Sequence, residues 1–193
     1  MTRTAALALA LAAASSPAIA QDQAAAMIDQ TDLTLERVFG SPSLNGPSPR
    51  GLQLAPDGSM VTLLKNRQDD KDRYDLWAMD LDTGEQRMLV DSEKVGSGAA
   101  LSEAEKMQRE RDRSISGKTG IVSYEWSPDG KTILVPIDGD LYLATLDGKV
   151  TRLTENVGGA LNPKISPAGG YVSYVRDQNL VVQPLGGAPR ALT

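Results

Sequence analysis

The 193-residue chain carries a net charge of -5, is 40% apolar, and contains neither cysteine nor histidine. The apolar share is ordinary for a folded globular chain, and the acidic balance excludes a general nucleic-acid binder, which presents a basic surface. Without cysteine there is no disulfide, thiolate zinc site or cysteine nucleophile; without histidine there is neither a Ser-His-Asp triad nor a His-based metal site.

The chain opens with the pattern of an export signal. Arg3 supplies a positive start, residues 5–14 form an Ala/Leu run, Ser15-Ser16-Pro17 breaks it, and Ala18-Ile19-Ala20 places small residues where a signal peptidase reads. A signal peptide over residues 1–20 is therefore expected, cleaved between Ala20 and Gln21. The apolar run is too short to span a bilayer, so no membrane association is expected after cleavage. No cysteine adjoins the cleavage site, which removes a lipid anchor. The mature chain is expected in a bacterial periplasm or outside the cell. Residues 21–50 read as a leader and loop: 21–30 are polar and Ala-rich, 33–39 apolar enough to pack, and 41–49 carry Pro42, Gly46, Pro47 and Pro49, which rule out regular structure.

Residues 51–193 repeat. Leu54-Ala55-Pro56-Asp57-Gly58, Trp126-Ser127-Pro128-Asp129-Gly130 and Ile165-Ser166-Pro167-Ala168-Gly169 are near-copies, each followed by an apolar strand-like run. Proline presets φ at the second turn position and glycine tolerates the positive φ of the exit. In the first repeat, strands are expected at 51–55, 60–64, 76–81 and 86–90, with the charged stretch 66–75 as an exposed loop. The second predicts 123–126, 132–136, 140–146 and 149–153, joined by Asp138-Gly139 and Asp147-Gly148, strong hairpin signals. The third predicts 162–165, 171–176, 179–184 and a last strand at 190–193. Repetition at roughly 40 residues in four-stranded units is the mark of propeller blades. The fold expected is all-β: a partial β-propeller of about three four-stranded blades. Three blades expose long sheet edges and are expected to be part of a larger ring.

One helix interrupts the repeat, at about 101–113. Ser102 and Glu105 have capping-box spacing, in which the serine caps a free N–H and the glutamate reaches back. Its arginines come late, as the helix dipole favours, and Gly117 and Gly120 are expected to end it. The run Arg109-Glu110-Arg111-Asp112-Arg113 can be a solvated helix end of alternating sign. It can equally aim a guanidinium, a rigid fork of donors suited to a carbonyl, into the mouth of the propeller.

Several segments in order are similar to the N-terminal propeller of bacterial dipeptidyl peptidase IV, a serine peptidase of the prolyl oligopeptidase type. They are Leu101 to Glu105, Arg109 to Arg113, Gly120-Ile121-Val122-Ser123-Tyr124, Trp126 to Gly130, Gly139-Asp140-Leu141-Tyr142-Leu143 and Tyr174 to Leu180. The arginine run followed by residues 120–124 is the specific part. The resemblance runs from about Leu33 to the end. It implies a propeller covering an α/β-hydrolase domain, release of N-terminal dipeptides with proline or alanine second, and often a homodimer. The peptide N-terminus would be the partner. By motif position Arg113 corresponds to the arginine that binds the substrate carbonyl, with Arg109 and Arg111 of the same run as further candidates.

This chain departs from that family's pattern in what it lacks. It has no Glu-Glu pair to bind an α-amino group, no Gly-x-Ser-x-Gly nucleophile elbow and no histidine. The α/β-hydrolase domain is absent, so no catalytic residue is assigned and the chain alone is expected to be inactive. The other class it could belong to is a stand-alone periplasmic propeller-repeat scaffold that binds protein. Asp69-Asp70-Lys71-Asp72 lacks the spacing of a calcium loop, and the glycine pairs at 158–159 and 186–187 read as turns, so neither metal nor cofactor is expected. Trp77, Trp126, Tyr124, Tyr142, Tyr171 and Tyr174 sit in strand patterns and are expected to pack between sheets.

Overall fold

The computed structural model describes residues 33–40, 44, 48–155 and 159–193. The expected signal peptide with Ala20 and Gln21, the leader over 21–30 and most of 41–49 lie outside the described residues. The chain divides between residues 44 and 45 into two units. In the first, α1 (Leu35–Phe39) is capped by Thr34, whose Oγ1 accepts from the Arg37 N–H at 3.2 Å.

The second unit holds three sheets, each built on an antiparallel meander of four strands in chain order, the first with a fifth strand added. The first comprises β1 (Arg50–Leu54), β2 (Met60–Asn66), β3 (Arg73–Asp80) and β4 (Gln86–Val90). After it come two helices, α2 (Ser92–Val95) and α3 (Glu103–Arg111), and β5 (Thr119–Gly120), which pairs parallel to the start of β3. The second sheet comprises β6 (Glu125–Trp126), β7 (Thr132–Ile137), β8 (Asp140–Thr145) and β9 (Val150–Arg152). The third comprises β10 (Leu161–Ile165), β11 (Tyr171–Arg176), β12 (Asn179–Pro184) and β13 (Arg190–Ala191). These are three blades of a propeller.

The repeated motif makes the same turn three times. Gly58, Gly130 and Gly169 take φ of 76°, 69° and 72°. Asp57 Oδ1 accepts from the Ser59 N–H at 3.0 Å, and Asp129 Oδ1 from the Lys131 N–H at 3.1 Å. Where Ala168 replaces the aspartate, Ser166 Oγ still accepts from the Tyr171 N–H at 3.1 Å, as Ser127 Oγ does from Thr132 at 3.0 Å. The far end of each later blade is also closed alike. The Leu141 N–H donates to Thr154 Oγ1 and the Leu180 N–H to Thr193 Oγ1, both at 2.9 Å. A threonine hydroxyl thus satisfies an N–H that the short fourth strand leaves over.

Each blade is apolar on both faces, because alternate residues of its strands point to opposite neighbours. Blade 1 offers Leu64, Leu76 and Ala78 to blade 2, which answers with Ile133, Val135, Tyr142 and Ala144. The other face of blade 2, Leu134 and Leu141, packs on Val172, Tyr174 and Val181 of blade 3. Polar contacts also join these layers, among them the Trp126 indole N–H, which donates to buried Thr62 at 2.9 Å, and Gln183 Nε2, which donates to the Leu153 carbonyl at 2.8 Å.

Several sequence expectations are corrected. Residues 66–75 are not an exposed loop throughout: β2 runs on to Asn66, β3 begins at Arg73, and Asn66 and Asp75 are buried. Burial is possible because Arg67 closes over Asp75, its Nε 3.0 Å from Oδ2, and also meets Asp91 and Glu93. The first strand of blade 2 is two residues rather than four. Opposite Ser123, the register brings Pro136, which has no N–H to donate. The helix α3 ends at Arg111, short of Arg113. Asp112 leaves helical geometry and accepts from the Ser114 N–H at 3.0 Å, so Gly117 and Gly120 are not its stops. Only half the capping box forms. Ser102 Oγ accepts from the Glu105 N–H at 3.2 Å, but the Glu105 carboxylate turns to Arg109.

The hairpin turns of blades 2 and 3 differ in one testable way. Asp138-Gly139 joins β7 to β8 with φ of 51° and 81°; Asp177-Gln178 joins β11 to β12 with φ of 49° and 64°. A glutamine held left-handed costs about 1–2 kcal/mol, partly offset by the entropy a glycine would lose on folding. Gln178→Gly should therefore stabilise the chain by about 0.5–1 kcal/mol in urea unfolding; an unchanged or lower midpoint would contradict the strain.

Candidate functional site

In each blade the turns between second and third strands, and the connection to the next blade, lie at one end. The long connection 91–124 therefore spreads α3 over that end of blades 2 and 3. Arg109 anchors it from beneath. Its Nη1 donates to the Lys118 carbonyl at 3.0 Å and its Nη2 meets Glu105 at 3.3 Å. Burial is the main cause raising the Glu105 carboxyl above its ordinary pKa, against the attraction of Arg109. From the outer side, Gln108 Nε2 donates to Asn162 Oδ1 at 2.7 Å.

Asn162 reaches the helix because of a bulge. It takes φ +49°, and the register of β10 on β11 shifts between Leu161 and Lys164. Gly51, three residues before the first repeat's turn motif as Asn162 is before the third's, has φ +57° beside the same shift in β1. Asparagine is among the few side chains that tolerate this region. The N-terminus of α3 sits equally close to the sheet: a Cβ on Gly159 would lie 2.5 Å from Ser102 Oγ.

Between α3 and the first strands of blades 2 and 3 runs a cleft of about 290 Å³. Its floor is apolar, from Val122, Leu134 and Pro136. Asp112 and Gln108 line the helix side; Glu125, Asn162 and Lys164 line the other. A narrow extension of about 70 Å³ continues to Glu105 and Arg109. Glu125 spans two blades, with Oε1 3.4 Å from Lys164 Nζ and Oε2 accepting from the Ile165 N–H at 3.3 Å. Tyr124 also lines the cleft. Its hydroxyl donates to the Gly51 carbonyl, and burial pushes its pKa up to about 12, so it stays a neutral donor. Hydrogen bonding from Ser114 holds the exposed Asp112 carboxyl below its ordinary range, and it is anionic at neutral pH. The cleft thus offers two carboxylates, one ammonium and an apolar floor, a mixture suited to a short polar chain with apolar side groups.

The three arginines of the run part company here. Arg109 is buried and committed to Lys118 and Glu105. Arg111 and Arg113 are exposed, and neither makes a hydrogen bond or ion pair among the described residues. Arg113 follows Asp112 in the chain, and neither it nor Arg111 lines the cleft. The sequence reading passed over Asp112, Glu125, Asn162 and Lys164. Only Asp112 carried a signal, being inside the arginine run; the others meet through folding. Among the described residues no group of acidic side chains could hold a metal ion, and no helix is long and apolar enough to cross a membrane.

The fold and cleft define a β-propeller repeat protein with a helix inserted between blades. No protein-family model matches the chain. Among solved structures it is similar to a protein assigned as TolB from Agrobacterium tumefaciens, at 20% identity and a TM-score of 0.51, over 81% of this chain and 54% of that one. TolB from Acinetobacter baumannii also matches, at 16% identity and a TM-score of 0.35, over 76% of this chain and 43% of that one. The chain spans about half the length of the solved structures it matches, and the first of them bears out the propeller fold.

Arg109 and Arg113 should behave oppositely when truncated. Arg109→Ala leaves the half-buried Glu105 without its cation and frees α3, and should cost about 2 kcal/mol, with faster tryptic cleavage after Arg111. Arg113→Ala should stay within about 0.5 kcal/mol of the parent chain. Equal stabilities for the two variants would refute the anchoring role of Arg109.

Proposed function

We propose that this chain is a peptide-recognition part of an exported propeller, of the kind that covers the hydrolase domain in dipeptidyl peptidase IV-like serine peptidases, and that it does not cleave peptides by itself. The observation that carries this reading is the cleft beneath α3, lined by Asp112 and Glu125, with the exposed Arg113 next to Asp112 in the chain. A peptide's free α-amino group would find its counter-charge at Asp112 and Glu125, in place of the Glu-Glu pair this chain lacks. Arg113 would donate to a backbone carbonyl. Charge at the N-terminus with a donor on a nearby carbonyl fixes the register of a peptide, and register decides where a hydrolase domain cuts. Export to the periplasm is supported by Arg3, the apolar run and Ala18-Ile19-Ala20.

A second reading takes its support from the TolB likeness: a propeller scaffold that binds a folded protein and has no use for a free amino terminus. One titration separates the two. An Ala-Pro-Ala peptide titrated calorimetrically into the chain should bind, and N-acetylation should weaken it at least tenfold, as should Arg113→Ala. Affinity indifferent to acetylation, or no binding, would overturn the peptide reading. So would release of an Ala-Pro anilide faster than a buffer blank.

A further inference from the structure

The helix α3 is held over the cleft through a carboxyl group whose two oxygens are treated unequally. Glu105 Oε1 meets Arg109 Nη2 at 3.3 Å, while Oε2 is buried and, among the described residues, has no hydrogen-bond partner. The backbone of Gly139 and Gly159 closes over Oε2: a Cβ on either would lie 3.4 Å or 3.6 Å from it. The charges that bear on Glu105 come from α3 and from the β7–β8 hairpin. Arg109, one turn further along α3, attracts it; Asp138 in the turn and Asp140 in β8 repel it. Asp140 is itself met by Arg152 of β9 and by the Thr154 hydroxyl, and Asp138 accepts from the Gly98 N–H at 2.9 Å. Gly159 and Ala160 add no charge. Lys118 lends Arg109 its carbonyl but sends its ammonium to Asp72 at 2.7 Å.

An ionised Oε2 in this place has lost its water and gained no donor in exchange, which is unfavourable for a charge. Protonation removes the charge, and Oε1 can still accept from Arg109. Lifted off the sheet, the same carboxyl would stand in water at its ordinary value. Seated, it lies above that value, with burial the largest cause and Arg109 opposing it. The seated helix therefore takes up its proton at a higher pH than the released one. Its seat gains stability as pH falls through the seated value, and loses it as pH rises. Aspartates held below their ordinary range, Asp112 among them, act at lower pH and in the opposite sense. The chain has no histidine, so no imidazole competes with a response just above the ordinary carboxylate range. We propose that Glu105 is a proton-operated latch, fastening α3 over the cleft when its carboxyl is neutral and loosening the helix when it is charged. The latch does not depend on what the cleft binds.

Amide hydrogen exchange of the full chain, corrected for intrinsic rates, reads the latch directly. The amides of α3 should be protected at least about threefold more strongly at about pH 5 than at about pH 7. Glu105→Gln is neutral throughout and should hold α3 at the higher protection at both. Asp138→Asn removes one like charge and should move the midpoint of the response to lower pH. Equal protection at the two pH values in the parent chain, or stronger protection at the higher one, would overturn the latch. So would a response that survives in Glu105→Gln. Where Glu105→Gln itself unseats the helix, the Asp138→Asn midpoint decides, and an unmoved midpoint overturns the proposal. Loss of peptide binding in the cleft would leave all these outcomes unchanged.

Discussion

A sheet with two apolar faces cannot be left with one of them in water, and the rest of this structure depends on that constraint. The strands of each blade alternate, so Ile133 and Val135 go to one neighbour while Leu134 goes to the other. Burying a side chain of this size contributes about 1.5–3 kcal/mol, and blade 2 gains it on both sides. Blades 1 and 3 gain it on the faces they turn to blade 2. The turns, hydroxyl closures and bulges keep the three sheets alike enough to stack. Packing between unlike faces of equivalent sheets is what makes the stack directional.

The cleft follows from the same geometry. Four-stranded meanders place every long connection at a chosen end, and the insertion between blades 1 and 2 lies over the inner strands of blades 2 and 3. Its position is held by groups that look as though they belong to the surface. Arg109 sits in a run of alternating charge, yet it is the residue turned inward, while Arg111 and Arg113 remain in solvent. Asn162 adopts a left-handed conformation and meets Gln108, and without that bulge β10 would carry its side chains past the helix.

The blades were legible because turn chemistry is local. A proline presets one dihedral and a glycine permits the next, so Ser127-Pro128-Asp129-Gly130 announces its hairpin without reference to anything distant. The strands β4, β11 and β12 fall where the sequence places them. What stayed hidden depends on partners far along the chain. Asp75 reads as loop because it is charged; it is buried because Arg67 reaches it and the Ser92 N–H donates to it at 2.8 Å. The first strand of blade 2 reads as four residues because Ser123 and Tyr124 have strand-like neighbours, and Pro136 opposite them ends it. The cleft residues Glu125 and Lys164 lie on different blades, and no spacing rule connects them.

Amide hydrogen exchange on the chain tests the two-faced packing most directly, by comparing the central strands of the three blades. Covered on both sides, β7 and β8 should exchange at least about tenfold more slowly than β2, β3, β11 and β12. Equal protection across the three blades, or slowest exchange in blade 1 or blade 3, would contradict the account.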